Sequence, residues 1–179
     1  MREPGTPPII GIIGGSGLYE IDGLENVEWR ALYSSFGMPS DEFMFAELDG
    51  QKLVFLPRHG RGHHIPPSEL NFRANIDALK RANVTEILSL SAVGSLREDL
   101  PPGTFVIVDQ FIDRTFAREK SFFGTGLVAH ISMAEPVCSR LGDALAAAAN
   151  ATGITTIRGG SYLAMEGPQF SSRAESELY

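Results

Sequence analysis

Apolar positions fall into short, strand-sized runs separated by clusters of Gly, Pro and Ser. Residues 9–13, "IIGII", are a run of β-branched residues that breaks into "GGSG", the pattern of a buried first strand ending in a tight turn. Residues 43–48 and 52–57, "FMFAEL" and "KLVFLP", flank Asp49-Gly50, so a hairpin is predicted there. Ser68, after Pro66 and Pro67, is the predicted N-cap of a helix over residues 69–83. Phe72, Ile76 and Leu79 would lay an apolar face of that helix on a sheet. Residues 84–91 read as a strand ending in "SAVGS", and residues 103–112 as one further strand.

The second half continues the alternation. Ser132 and Glu135 have capping-box spacing ahead of a helix over roughly 136–150, which stops at Gly153. Residues 154–166 read as one or two strands. Ser172 and Glu175 form a second capping box, with less than two helical turns before Tyr179. So short a stub gains little by itself. It is the expectation for a chain shortened at this end, or for a stub that packs on another chain. Strands alternating with helices predict an α/β fold. No repeat or linker interrupts it, so residues 1–179 are expected to belong to a single domain.

Composition narrows the function. The chain has 179 residues, 43% of them hydrophobic and 21% charged, as an ordinary globular domain has. No apolar run reaches membrane-spanning length, and residues 1–10 carry no signal segment. A lone cysteine, Cys138, fits a reducing compartment, so a cytoplasmic location is expected. The net charge of -7 argues against a nucleic-acid partner, which needs a basic face.

Against that charge, "FLPRHGRGHHIPPSELNF" gathers Arg58, Arg61 and three of the four histidines into one loop. The loop follows a strand, and ligands of open α/β sheets bind beyond the carboxyl ends of strands. Arg58 offers a fork of donors that fits phosphate, and His59 an imidazole whose charge responds to an anion. His59, His63 and His64 could instead hold a metal, but Arg58 and Arg61 would repel a cation and no Cys or carboxylate run completes the set. A solvated cationic loop is the plainer alternative.

Gly14-Gly15-Ser16-Gly17 can aim backbone N–H groups and a hydroxyl at an anion, or be a simple turn. It is neither a dinucleotide fingerprint, since position 20 is Glu20, nor a Walker A loop. Ser91-Ala92-Val93-Gly94-Ser95 is a third small-residue strand end, and no G-x-S-x-G elbow occurs anywhere. Three donor-rich strand ends point to a bound oxyanion, most simply phosphate. Phe170, on a Gly-Pro loop beside Ser171, can stack on a planar heterocycle or plug the core.

Taken together, "IGIIGGSGL", "PRHGRGHHIPPSELNFRANI", "SAVGSLRE", "DQFIDRT", "HISMAEPVC" and "EGPQFSSRAES" resemble the 5′-methylthioadenosine phosphorylases of the purine nucleoside phosphorylase superfamily, in order and over the whole chain. The resemblance implies a mixed, twisted β-sheet flanked by helices. It also implies phosphorolysis of methylthioadenosine to adenine and 5-methylthioribose 1-phosphate, a purine and methionine salvage reaction. By position, Ser16, Arg58, His59, Ser91 and Ala92 would bind phosphate. His63 would sit beside the ribosyl group. Phe170 and Ser171 would line the purine, and His130 would be lent to a neighbouring subunit of a homotrimer. Inorganic phosphate is the co-substrate, with no metal or organic cofactor.

The resemblance places the Asp that protonates the base, and a Met-Thr segment under the ribose, beyond Tyr179. The 179-residue chain alone is therefore expected to turn over weakly or not at all. Two other functions remain open. One is a phosphorylase for 6-oxopurine nucleosides or methylthioinosine, against which Ser171 speaks, since those enzymes typically carry Glu there. The other is a non-catalytic form that only binds phosphate or nucleoside.

Overall fold

The computed structural model describes residues 7–15 and 17–179, which form two compact units. The first comprises residues up to Ala92 together with Glu119–Phe122, and the second Val93–Arg118 with Phe123–Tyr179.

The first unit is built on a five-stranded mixed sheet. Its strands are β1 (Ile10–Gly14), β2 (Glu25–Arg30), β3 (Phe43–Leu48), β4 (Gln51–Pro57) and β5 (Glu86–Ser89), in the order β2-β3-β4-β1-β5. β1 runs parallel to both β4 and β5, whereas β2, β3 and β4 are antiparallel. The predicted hairpin is present, with Asp49 and Gly50 both at positive φ (48° and 76°). That pair of left-handed residues matches the twist of the flanking strands.

Side chains alternate across β3 and β4, and each face feeds its own cluster. Phe43, Val54 and Leu56 pack with Ala78, Leu79 and Val84 on one side. Met44, Ala46, Leu53 and Phe55 pack with Ile10, Ile12, Tyr19, Leu24 and Trp29 on the other.

Helix α1 (Phe72–Arg81) covers the first of these faces, but it starts later than predicted, and of the three predicted face residues only Leu79 is buried. Pro66, Pro67 and Ser68 lead into a single 3₁₀ turn over Pro67–Glu69, and Leu70 then returns to extended backbone. The cap is Asn71, whose side chain accepts from Ala74 N. The buried residues are Ala74, Asn75, Ala78 and Leu79. Phe72 and Ile76 lie off that stripe and are exposed. Small alanines let the helix approach the sheet closely, and Asn75 tolerates burial because Ser40 satisfies both ends of its amide.

In the second unit, residues 103–112 are not one strand. β6 (Phe105–Ile107) pairs with β8 (Thr156–Arg158), and β7 (Gln110–Arg114) with β9 (Ser161–Met165), both in parallel. The ladder jogs at Asp109, where Gly159 and Gly160 both take positive φ and Asp109 Oδ1 accepts from Gly160 N. Helix α2 (Ser139–Thr152) begins three residues later than expected, with Cys138 at its N-cap. Pro136 pushes Glu135, the residue before it, out of the helical region, so Glu135 cannot close a capping box with Ser132. Gly153 ends α2 in the left-handed conformation, as expected. The box of Ser172 and Glu175 starts helix α3 (Arg173–Leu178), with both reciprocal hydrogen bonds made. Among the described residues of the second unit only Thr115 and Gly142 are buried. No helix of the described residues is long and apolar enough to cross a membrane.

Candidate anion site at the ends of three parallel strands

The parallel strands β4, β1 and β5 are neighbours, and they end together. Gly14 pairs with Pro57, and Ile13 with Ser89. Their exits therefore lie side by side at one sheet edge: Gly15 in the centre, Arg58 on one flank, Leu90 and Ser91 on the other. Two strand spacings, about 10 Å, separate the flanks. Arg58 crosses that gap. Its backbone N–H donates to Gly14 O at 3.3 Å, and its Nη1 donates to Leu90 O at 3.1 Å and to Ser91 Oγ at 2.9 Å. Ala92 follows Ser91, and both are exposed. Ser16 lies outside the described residues.

The cationic loop resolves into two arginines in different electrical states. Arg61 donates through Nη2 to Asp41 Oδ1 at 2.9 Å and to Glu42 Oε2 at 2.7 Å, and its guanidinium lies over Trp29, 4.3 Å from the ring centre. Its charge is balanced. Arg58 has no carboxylate partner among the described residues, and its Nε and Nη2 make no protein hydrogen bond among them. Arg58 thus presents a positive charge and free donors at the strand ends, while Ser91, accepting from Arg58, keeps its own O–H to donate.

His59 is buried, with 8% exposure. Its Nδ1 lies 2.9 Å from Ile65 O, so that nitrogen carries the hydrogen and the neutral ring keeps its lone pair on Nε2. The His63 ring stacks on it at 4.5 Å. Burial lowers the His59 pKa, the Ile65 carbonyl opposes that, and the nearby Arg58 and His63 lower it further. The unfolded chain therefore binds a proton that folded His59 resists, and stability falls as pH drops below the ordinary imidazole value of about 6.5. We predict that the thermal midpoint of the wild type declines between about pH 7 and pH 5.5 more steeply than that of His59→Gln. Equal slopes would contradict a neutral, desolvated His59.

Sequence reasoning missed three residues around this loop. Asp41 holds Arg61. Burial would raise the Asp41 carboxyl, but side-chain and backbone hydrogen bonds from Arg61 outweigh it and keep the carboxyl below the usual range. Trp29, on the unpredicted β2, supplies the ring under Arg61 and meets Tyr19 edge-on at 6.2 Å. Burial and the Asp41 charge push the Tyr19 phenol up, so it stays neutral. No sequence signal marked Asp41 or Trp29, whose roles arise from contacts across 20 or more positions.

The other predicted residues lie in the second unit. His130 is exposed. Phe170 is 90% exposed, so it does not plug a core within that unit. Ser171 Oγ lies 2.7 Å from Ser176 Oγ on α3. Just before them Glu166 accepts from Phe116 N at 2.6 Å and Ala117 N at 3.1 Å, and pairs with Arg118 at 3.4 Å. These bonds tie the end of β9, from which the Phe170 loop departs, to residues 116–118.

Comparison with known proteins follows the same lines. Residues 9–179 match the phosphorylase superfamily. An S-methyl-5′-thioadenosine phosphorylase of Rhodospirillum rubrum is 64% identical over 179 residues, which are all of this chain and 61% of that protein. A protein of the same name from Cereibacter sphaeroides is 61% identical over 171 residues, 96% of this chain and 59% of its own length. Among solved structures, a methylthioadenosine phosphorylase from an antarctic soil metagenomic library superposes with a TM-score of 0.92 at 47% identity, over 97% of this chain and 61% of that one. A mutant adenosine/methylthioadenosine phosphorylase from Schistosoma mansoni, in complex with adenine, gives 0.89 at 40% identity, over 96% and 67%. The chain spans about three-fifths of the length of the curated relatives it matches.

Proposed function

The chain belongs to the phosphorylase superfamily, and from that premise we propose that the protein carrying these 179 residues splits the N-glycosidic bond of 5′-methylthioadenosine with inorganic phosphate. The products are adenine and 5-methylthioribose 1-phosphate. The observation that carries the reading is the Arg58 fork lying across the end of β1 onto Ser91, with no carboxylate partner among the described residues. An acidic protein with a local positive site of this kind favours a small oxyanion over a polyanion.

In this reading, phosphate oxygens accept from Arg58 Nε and Nη2, from the Ser91 hydroxyl and from Ser16 and the backbone at Ala92. Neutral His59 accepts at Nε2 from the protonated oxygen of hydrogen phosphate, which fits its lowered pKa. As the bond between C1′ and N9 stretches, its electron pair goes to the purine and C1′ gains oxocarbenium character. The phosphate dianion stabilises that charge, and one of its oxygens then bonds to C1′. The departing base needs a proton at its imidazole nitrogen, and the resemblance places the Asp that delivers it beyond Tyr179.

His63 stands beside the ribosyl group, Phe170 offers an open face for the purine, and His130 serves a neighbouring subunit of a homotrimer. Ser171 supplies a hydroxyl rather than a carboxylate, which suits adenine over a 6-oxopurine. Residues 1–179 are then the N-terminal portion of one nucleoside phosphorylase domain, working in the cytoplasm, as free Cys138 agrees with.

The test is an assay of base release from methylthioadenosine and from methylthioinosine, with and without phosphate, using the protein that carries these residues. Phosphate-dependent adenine release in excess over hypoxanthine is expected. Release that ignores phosphate would refute the phosphorylase reading, and a preference for hypoxanthine would move it to the 6-oxopurine enzymes.

A further inference from the structure

We infer that Asp41 is a positioning residue for the phosphate site, acting through Arg61 on the loop that carries Arg58, His59 and His63. The inference rests on the phosphorylase reading above. The loop has little regular structure to hold it: Gly60, Gly62 and His63 all take positive φ (73°, 85° and 55°). Its internal hydrogen bonds are local, from Gly60 N to Pro57 O, His63 N to Gly60 O, and His64 N and Ile65 N to His59 O. These bonds set its curl, and Arg58 N to Gly14 O fixes its first residue.

Its middle is fixed from outside by two carboxylates, Glu42 on the guanidinium alone and Asp41 on both the guanidinium and the backbone of Arg61. Asp41 accepts from Arg61 N at 2.5 Å through Oδ2, from Arg61 Nη2 at 2.9 Å through Oδ1, and from Arg61 Nε at 3.2 Å through both oxygens. Backbone and side chain of one residue are thus held by a single group. Asp41 is itself fixed, since its Oδ1 accepts from Glu42 N at 2.8 Å, next to the buried start of β3. The other side of the Arg61 guanidinium is closed by Trp29.

Two consequences follow for phosphate. The loop is held where His59 and His63 stack, so the ring nitrogens are placed before the anion arrives. Arg61 is also neutralised, which removes a second cation that would otherwise compete with Arg58 for the same anion and draw it out of line. Arg61 therefore acts as the handle of the loop, and its guanidinium is turned to Asp41 and Glu42.

The experiment measures binding of inorganic phosphate by calorimetry, and KM for phosphate and for methylthioadenosine, in the full-length protein and its variants. Asp41→Ala should weaken phosphate binding by about tenfold or more, since small misplacements of a binding group carry losses of that order. KM for the nucleoside should rise clearly less than KM for phosphate, because of the loop's three site residues only His63 stands beside the ribosyl group. Asp41→Asn keeps an oxygen that can accept from Arg61 N, so its loss should be smaller. If Asp41→Ala does not fold, Asp41→Asn and Arg61→Ala carry the comparison, with Arg61→Ala predicted to lose more.

Unchanged phosphate affinity in these variants, beside a wild type that binds phosphate, would overturn the role of Asp41 and leave the function standing. Equal losses for phosphate and nucleoside would also overturn it, as general damage to the fold. A wild type that binds no phosphate would remove the phosphorylase reading itself.

Discussion

Arg58→Ala should lower kcat/KM for phosphorolysis by about 10²–10³-fold, the loss that follows removal of one preorganised donor aimed at a reacting anion. The effect should fall on phosphate. Arg58 is the one arginine of its loop without a carboxylate partner among the described residues, and its side chain spans from the exit of β4 to Ser91 beyond β5. Removing it withdraws the positive charge and the fork, and frees the Ser91 hydroxyl from a fixed orientation. Folding should suffer little, because the two bonds lost lie at a solvent-facing edge and such bonds contribute about 0.5–1.5 kcal/mol each. Arg58→Lys should recover only part of the activity, since an ammonium keeps the charge but cannot bridge Leu90 and Ser91 while facing an anion with a second edge. Steady-state kinetics with phosphate varied, alongside thermal melts, separates these outcomes. A full-rate Arg58→Ala enzyme would contradict the site.

Phe43→Ala should destabilise the first unit by about 3–5 kcal/mol, with no direct effect on chemistry. Phe43 is fully buried at the start of β3, in the cluster where Val54 and Leu56 of β4 meet Ala78 and Leu79 of α1. Small alanines on the helix face mean that the large ring fills the space between the layers, so its loss leaves a cavity the neighbours cannot close. The position also lies two residues from Asp41 and anchors the strand paired with β4, from which Arg58 emerges. Urea unfolding should show a lowered midpoint at similar slope. A change below about 1 kcal/mol would mean that the cluster is looser than its burial indicates.

Much of the first unit was legible in the sequence because its signals are local. Asp49-Gly50 demands left-handed backbone, and the runs around it are apolar enough to need burial. The strand ends were legible for the same reason: a buried parallel strand must stop at small or polar residues, and "GGSG", "RHG" and "SAVG" do so. β2 was not, because "ENVEWR" has no continuous apolar side and five of its six residues are exposed. It is a strand by virtue of pairing with β3. The cap of α1 was misplaced because Ser68 and Asn71 are both competent caps, and the extended Leu70 between them decides the matter.

The sequence marks the candidate site as a cationic loop, without distinguishing its two arginines. The sequence shows two arginines three residues apart and cannot say that Asp41 neutralises only one of them. That distinction is tertiary, and it turns a basic loop into one directed positive charge.

The most direct test of the account is a crystal structure grown in phosphate. A phosphate ion is expected at the ends of β1, β4 and β5, with oxygens within about 3 Å of the Arg58 guanidinium and of Ser91 Oγ, and Arg61 still on Asp41. An empty strand edge at high phosphate, or an ion bound to Arg61 with Arg58 turned away, would contradict it.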